Sequence, residues 1–208
     1  MRGIEATIRQ RGFRRLAGVD EAGRGAVAGP VVAAAVILKD GLPIPEVTDS
    51  KRVPPHRREV LYARIVAEAR AVGVGIVDVP IIEARNILQA TLLAMERALR
   101  DLKVPPDVVL VDGLRAPHVY LPVFPIPKGD LRCPSIAAAS IVAKVTRDRI
   151  MASYHQEYPE YGFDRHKGYG TTDHLQAIAN HGPSSIHRKT FAPIRQIPIF
   201  VVAVGGQS

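Results

Sequence analysis

Leu16-Ala17-Gly18-Val19-Asp20 and Val31-Val32-Ala33-Ala34-Ala35-Val36-Ile37-Leu38 are two β-rich runs, and the residues between them decide how the rest of the chain is read. The second run is continuously apolar, the pattern of a strand buried on both faces. The first ends in two acids, Asp20-Glu21, which lead into the glycine-rich turn Ala22-Gly23-Arg24-Gly25. Glycines there let the backbone approach a ligand closely, and the arginine adds a fork of donors. The turn is neither a Walker loop nor a Rossmann fingerprint, because no G-x(4)-G-K-[ST] and no well-formed G-x-G-x-x-G follows the strand.

Outward from this core, strands and helices alternate. Pro54-Pro55 opens a helix to about residue 72, proline being tolerated in a first helical turn. Residues 72–79 read as a strand. Leu88, Leu92, Met95, Leu99 and Leu102 form one apolar stripe on a helix over about 80–102, with core packing as the role of Met95. Pro105-Pro106 stops that helix, and residues 108–111 make a short buried strand ending at Asp112-Gly113. Residues 119–126 form an edge strand interrupted by proline. The helix over 135–154 begins with small residues that allow close packing on a sheet. Thr171 or Thr172 caps a last helix that Gly182-Pro183 ends. This order implies an α/β fold: a mixed central sheet flanked by helices, with a C-terminal helical portion. The chain reads as a single domain over 1–208, with an α/β core to about residue 150 and a helical portion and tail over about 151–208.

The 208 residues are 47% hydrophobic and 23% charged, which excludes disorder as the main state. A lone cysteine, Cys133, excludes an internal disulfide framework and a Cys-built zinc site, and fits a reducing compartment. No apolar segment follows the arginine-rich N-terminus as a signal peptide requires. The longest apolar stretch, 26–38, contains Gly29-Pro30 and is shorter than the ~20 residues of a membrane helix. The expected location is the cytoplasm, with no membrane partner. Lys and Arg number 28 against 20 Asp and Glu, a net charge of +8. Composition alone leaves a polyanionic partner and a generally basic surface equally open. Between Lys144 and Arg195 stand eight cationic side chains, five acids and five of the seven histidines, which makes the C-terminal third the better candidate for a phosphate backbone.

Carboxylates at the ends of buried strands are costly unless they are hydrogen-bonded or bound to a cation. Asp20-Glu21 and Asp112 both sit at such ends, and Asp130 lies in Lys128-Gly129-Asp130, just before the small-residue helix. One strand-end Asp usually satisfies turn amides; two strands ending in acids favour a shared site. Oxygen ligands without cysteine or a histidine pair select Mg²⁺ or Mn²⁺ over zinc. Two such ions ~3.5–4 Å apart would offset four clustered carboxylates, activate a water and stabilise the leaving oxygen in phosphodiester hydrolysis. A basic chain with an acidic cluster is a coherent nuclease pattern.

The segments 18–25, 28–38, Asp49-Ser50-Lys51, 86–91, Val111-Asp112-Gly113, Lys128-Gly129-Asp130, 135–148, Arg165-His166-Lys167-Gly168-Tyr169-Gly170 and 191–195 together resemble bacterial ribonuclease HII, in the family's order over roughly 16–195. The resemblance implies a ribonuclease H-like fold, hydrolysis of the RNA strand of RNA–DNA hybrids, and incision at ribonucleotides embedded in duplex DNA. It implies Asp20, Glu21, Asp112 and Asp130 as catalytic, metal-binding acids. Gly23, Arg24 and Gly25 would read the 2′-hydroxyl and its neighbouring phosphate, the one group that separates RNA from DNA at a nucleotide. Tyr169 would stack on the deoxyribose after the ribonucleotide, and Lys51 and Lys167 would contact phosphates. The enzyme is expected to act as a monomer.

Other residues keep plainer expectations. His166 stays outside the catalytic set, Asp148 pairs with Lys144 four residues earlier on a helix, and Ser140 packs or bonds within its helix, with a substrate contact as the alternative. Ala26 stands where the family has proline after the glycine-arginine-glycine turn. The tail 196–208 matches nothing in the family. Two competing readings are ribonuclease HIII, whose extra N-terminal domain has no counterpart in the nineteen residues before Asp20, and a non-catalytic hybrid-binding module. A pure binder gains nothing from placing acids beside phosphates, which argues against the module.

Overall fold

The computed structural model describes residues 3–39 and 53–196; Asp49-Ser50-Lys51 and the tail from residue 197 lie outside the described residues. In chain order the strands are β1 (Leu16–Ala22), β2 (Val31–Ile37), β3 (Ala71–Val77), β4 (Val108–Asp112) and β5 (Val123–Ile126). The helices are α1 (Gly3–Gln10), α2 (Pro55–Glu68), α3 (Val79–Asp101), α4 (Pro134–Glu157), α5 (Phe163–His166), α6 (Thr172–His181) and α7 (Ala192–Arg195). The sheet order is β3-β2-β1-β4-β5. β1 pairs antiparallel with β2 and parallel with β4, so the sheet is mixed. β5 lies parallel at the edge, where Pro125 costs no interior ladder bond.

The period-2 alternation of strands assigns each face. Ala17, Val19, Ala33, Ala35, Val109 and Val111 meet the stripe Ala90, Ala94, Met95, Ala98 and Leu99 of α3. Ala34 and Val36 meet α2 and the alanine-rich start of α4. β2 is buried at every position, as its unbroken apolar run requires. Small residues set the distance to α4: a Cβ on Gly18 would lie 2.1 Å from the Ser135 carbonyl carbon.

The edge strand expected over 119–126 begins only at Val123 and the helix expected to about residue 72 stops at Glu68; two larger features also depart from the expected elements. The helix expected over 80–102 is broken at Asn86, whose φ of 68° is left-handed, and the Asn86 carboxamide oxygen accepts from the Gln89 amide at 3.1 Å. Asn86 thus caps a second helical segment, which the stripe of leucines alone does not reveal. Arg9 belongs to α1, an amphipathic helix whose Ile4 and Ile8 pack on Leu16, Val108 and Ile136. Its Glu5 accepts from the amide (2.9 Å) and hydroxyl (2.7 Å) of Ser135, capping α4 from a distant part of the chain. α4 carries the chain across residue 150 without interruption. Among the described residues no helix is long and apolar enough to cross a membrane.

Gly18→Ala should cost about 1–3 kcal/mol by forcing α4 off the sheet, several degrees of thermal midpoint in a chain of this length. Calorimetry checks it, and an unchanged midpoint would contradict the close approach.

Candidate active site

Asp20 and Glu21 are consecutive on β1, so they point to opposite faces of the sheet at its end. Val19 is paired in parallel with Val111, which sets Asp20 and Asp112 side by side on neighbouring strands. Asp130 arrives from the short 3₁₀ turn Gly129–Leu131 that follows β5. All four acids line one cleft of about 610 Å³, together with Gly23, Arg24, Gly25 and Tyr169. The structure therefore brings together eight of the ten residues singled out in the sequence. Lys51 lies outside the described residues. Lys167 stands apart: it has a left-handed backbone (φ 52°), and its ammonium donates to the Asp164 carbonyl at 2.6 Å.

Hydrogen bonds from the chain hold Asp20 and Asp112 in place. Asp20 is buried, with its carboxylate accepting from the Glu21 amide at 2.7 Å and from the Ser140 hydroxyl. Burial and the neighbouring charges of Glu21 and Asp112 push the Asp20 carboxyl well above its usual range. Glu21 is raised too, chiefly by burial, and Arg24 opposes the shift from 3.6 Å away. Asp112 accepts from the Gly129 amide at 2.6 Å, which ties β4 to the turn carrying Asp130. Among the described residues no three His, Cys, Asp or Glu side chains close into a finished ligand cage. Cys133 is buried with its thiol pushed up to about 12 by burial, which removes it as a ligand. An all-oxygen donor set whose members repel one another fits a hard divalent cation.

Another part of the site comes from helix spacing that was not singled out in the sequence. Ser140, Lys144, Arg147 and Met151 recur every three or four residues on α4, on the side that faces the cleft and the loop over 23–30. Lys144 bonds Asp148 at 2.7 Å, the expected pair, and Arg58 from α2 joins at 3.1 Å. Lys144 and Arg58 both line the cleft. Ser140 also bonds Asp20.

The loop over 23–30 has little regular structure, and two buried guanidinium groups supply its missing hydrogen bonds. Arg188 donates to the carbonyls of Arg24 (3.1 Å), Ala26 (2.7 Å) and Gly29 (2.8 Å). Arg147 donates to the carbonyls of Ala28 (3.0 Å), Pro30 (2.9 Å) and Lys167 (2.9 Å). Both arginines are wholly buried, and burial lowers Arg188 to about 9. Two members of the basic C-terminal third therefore build the site's floor instead of reaching phosphates. Gly23 fits above them because its φ is 91° and a Cβ there would overlap the Arg147 guanidinium. Without proline at 26, the loop is held by these bonds; Ala26 is fully buried.

The model of the family described as Ribonuclease HII matches residues 17–194. The chain belongs to this family. Ribonuclease HII of Geotalea daltonii is 55% identical over 193 residues, covering 93% of this chain and 89% of that protein. The crystal structure of ribonuclease H2 from Pyrococcus horikoshii is similar with a TM-score of 0.75 at 27% identity, over 88% of this chain and 97% of that one. Bst-RNase HIII, solved in complex with Mn²⁺, shares the fold with a TM-score of 0.70 at 19% identity, over 90% of this chain and 70% of that one. The protein is thus a nuclease, a phosphodiester hydrolase on an α/β ribonuclease H-like fold, and neither a binding module nor a ribonuclease HIII.

The raised Asp20 carboxyl carries a sign. Its penalty is absent below the ordinary carboxylate range and grows as pH rises through the folded value. In chelator at pH 8, Asp20→Asn should therefore raise the thermal midpoint by about 2–4 °C for each ~1 kcal/mol relieved, with the gain closing towards pH 4. A variant less stable than the parent at pH 8 would contradict the electrostatic account.

Proposed function

We propose that the enzyme hydrolyses the RNA strand of RNA–DNA hybrids and incises duplex DNA on the 5′ side of an embedded ribonucleotide, leaving a 3′-hydroxyl and a 5′-phosphate. The observation that carries this reading is the convergence of four acids, the Gly23-Arg24-Gly25 turn and Tyr169 on one cleft. Asp20, Glu21, Asp112 and Asp130 would hold Mg²⁺ or Mn²⁺. When bound, a pair of such cations supplies Lewis acidity, activates a water and stabilises the leaving oxygen of the phosphodiester.

The chain's own residues do the rest. Ser140 and the Glu21 amide fix the Asp20 carboxylate, and the Gly129 amide fixes that of Asp112. The half-exposed Arg24 guanidinium is placed to meet a phosphate. Gly23 and Gly25 let the backbone come within bonding distance of a 2′-hydroxyl, the group absent from DNA. The Tyr169 ring, with Arg147 5.3 Å and Lys144 5.6 Å from its centroid, offers an apolar platform for the sugar that follows the ribonucleotide. Lys144 and Arg58 add positive charge opposite the acids, where a phosphate backbone must pass. Lys51 joins this reading as a phosphate contact; Lys167 joins it only by releasing the Asp164 carbonyl. In this reading the chain acts as one domain and as a monomer.

A duplex with one embedded ribonucleotide, incubated with and without Mg²⁺ and mapped for the nick, tests the whole reading. Asp20→Asn and Asp112→Asn should each abolish cleavage while hybrid binding is largely kept; full turnover by either variant refutes the site. Tyr169→Ala should slow incision at the lone ribonucleotide by at least about 10-fold, the ~1.4 kcal/mol of a lost stacking contact, while continuous hybrids are cut far less affected.

A further inference from the structure

His174 and His187 are wholly buried, yet neither belongs to the acidic cleft. What their ring nitrogens face fixes where each proton sits. The Ser184 amide donates to His187 Nδ1 at 2.9 Å, so that nitrogen carries a lone pair, shared with the Ser184 hydroxyl at 2.8 Å. A neutral His187 must then bear its proton on Nε2, which lies 3.0 Å from His174 Nε2. His174 Nε2 is thereby an acceptor, and its proton is on Nδ1, 2.9 Å from the Tyr169 carbonyl. The far end demands the same answer independently, because a carbonyl can only accept. The chain of bonds is closed and has one direction.

His166 repeats the logic beside it. Its Nδ1 accepts from the Gly168 amide at 3.2 Å and its Nε2 donates to the Tyr161 carbonyl at 2.7 Å. Its ring stacks on His174 with centroids 4.2 Å apart and 16° between planes, and its own carbonyl accepts from the Tyr169 amide at 3.0 Å. Phe163 and Tyr161 wall the cluster, with ring centroids 5.4 Å from His174 and 4.8 Å from His187. Burial keeps the pair neutral, lowering His174 to about 4 and His187 to about 3. An added proton would face N–H against N–H and break the line.

We infer that His187 and His174 are positioning residues: a buried, neutral relay from Ser184 through His187 and His174 to the Tyr169 carbonyl that sets the Tyr169 ring at the mouth of the cleft. Tyr169 lines the cleft through its side chain, while both of its backbone groups are tied to this histidine cluster. The consequence for selectivity rests on the role proposed for Tyr169 above. A relay that aims the ring matters where the ring is used, at a ribonucleotide followed by deoxyribose, and matters little on continuous RNA–DNA hybrid.

The first test uses the unmodified enzyme. Long-range proton–nitrogen NMR at pH 7 should find His174 neutral with its proton on Nδ1, the tautomer that free imidazole disfavours, and His187 neutral with its proton on Nε2. A protonated His174, or one bearing its proton on Nε2, overturns the relay. The second test compares two substrates, a duplex with one ribonucleotide and a continuous hybrid. His174→Leu should lower the ratio of single-ribonucleotide to hybrid cleavage by about 10-fold, the ~1.4 kcal/mol of one positioning bond. His174→Asn, whose amide N–H takes the place of Nδ1–H, should restore most of that ratio. A merely structural histidine would lower both activities together, with no rescue by Asn; that result overturns the inference. If Tyr169→Ala changes the ratio and His174→Leu does not, the relay fails. If Tyr169→Ala leaves the ratio unchanged, the role of Tyr169 fails, and the tautomers decide the relay.

Discussion

Two guanidinium groups buried among main-chain carbonyls hold this molecule's functional end together. The loop over 23–30 connects two central strands yet lies outside their ladder, so its carbonyls need other donors. Arg188 and Arg147 provide them, reaching residues 24, 26, 28, 29, 30 and 167 from the far side of the chain. Burying a cation is expensive, and here the cost is offset by donor forks that meet main-chain carbonyls. Lysine in either place would offer a point charge where a planar fork is used. The shape of the cleft, the positive φ at Gly23 and the position of the 167–169 turn all follow from these contacts.

The acids carry the opposite tension. Asp20 is raised by burial and by the charges of Glu21 and Asp112, and Glu21 by burial and the charge of Asp112, so the fold bears charges it would be more stable without. Amides and a hydroxyl fix one side of the carboxylates, and the cleft takes the other. A chain with net charge +8 thus concentrates negative charge at one point. The cationic side chains Lys144 and Arg58 stand across the cleft, paired with Asp148, which keeps them in place without cancelling the acids.

Much of this was legible in the residues. The unbroken run of β2, the leucine stripe of α3, the cap at Thr171, the stop at Gly182 and the Lys144–Asp148 pair each arise from neighbours a few positions apart, where period and stereochemistry decide. The acidic motifs were legible too, because a carboxylate ending a buried strand is a local anomaly. The break at Asn86 escaped because one left-handed residue leaves the apolar period on either side intact. Helix α1 escaped because its stability comes from packing on Ile136 and from the bond of Glu5 to Ser135, contacts made across more than a hundred residues.

The sequence by itself determined the alternation of elements, the family and the acids at the strand ends, since each is written in residues adjacent along the chain. Only the tertiary structure decided what the charged and titratable residues of the C-terminal third are for. In sequence, Arg147, Arg188, Lys167 and the histidines look alike, a basic face for phosphates. In the fold, burial turns two arginines into carbonyl clamps and gathers three histidines into a cluster under Tyr169, while the Lys167 ammonium turns to the Asp164 carbonyl at the surface. A side chain's charge is a property of its type, but its use depends on how much water remains around it and on which long-range partners replace that water.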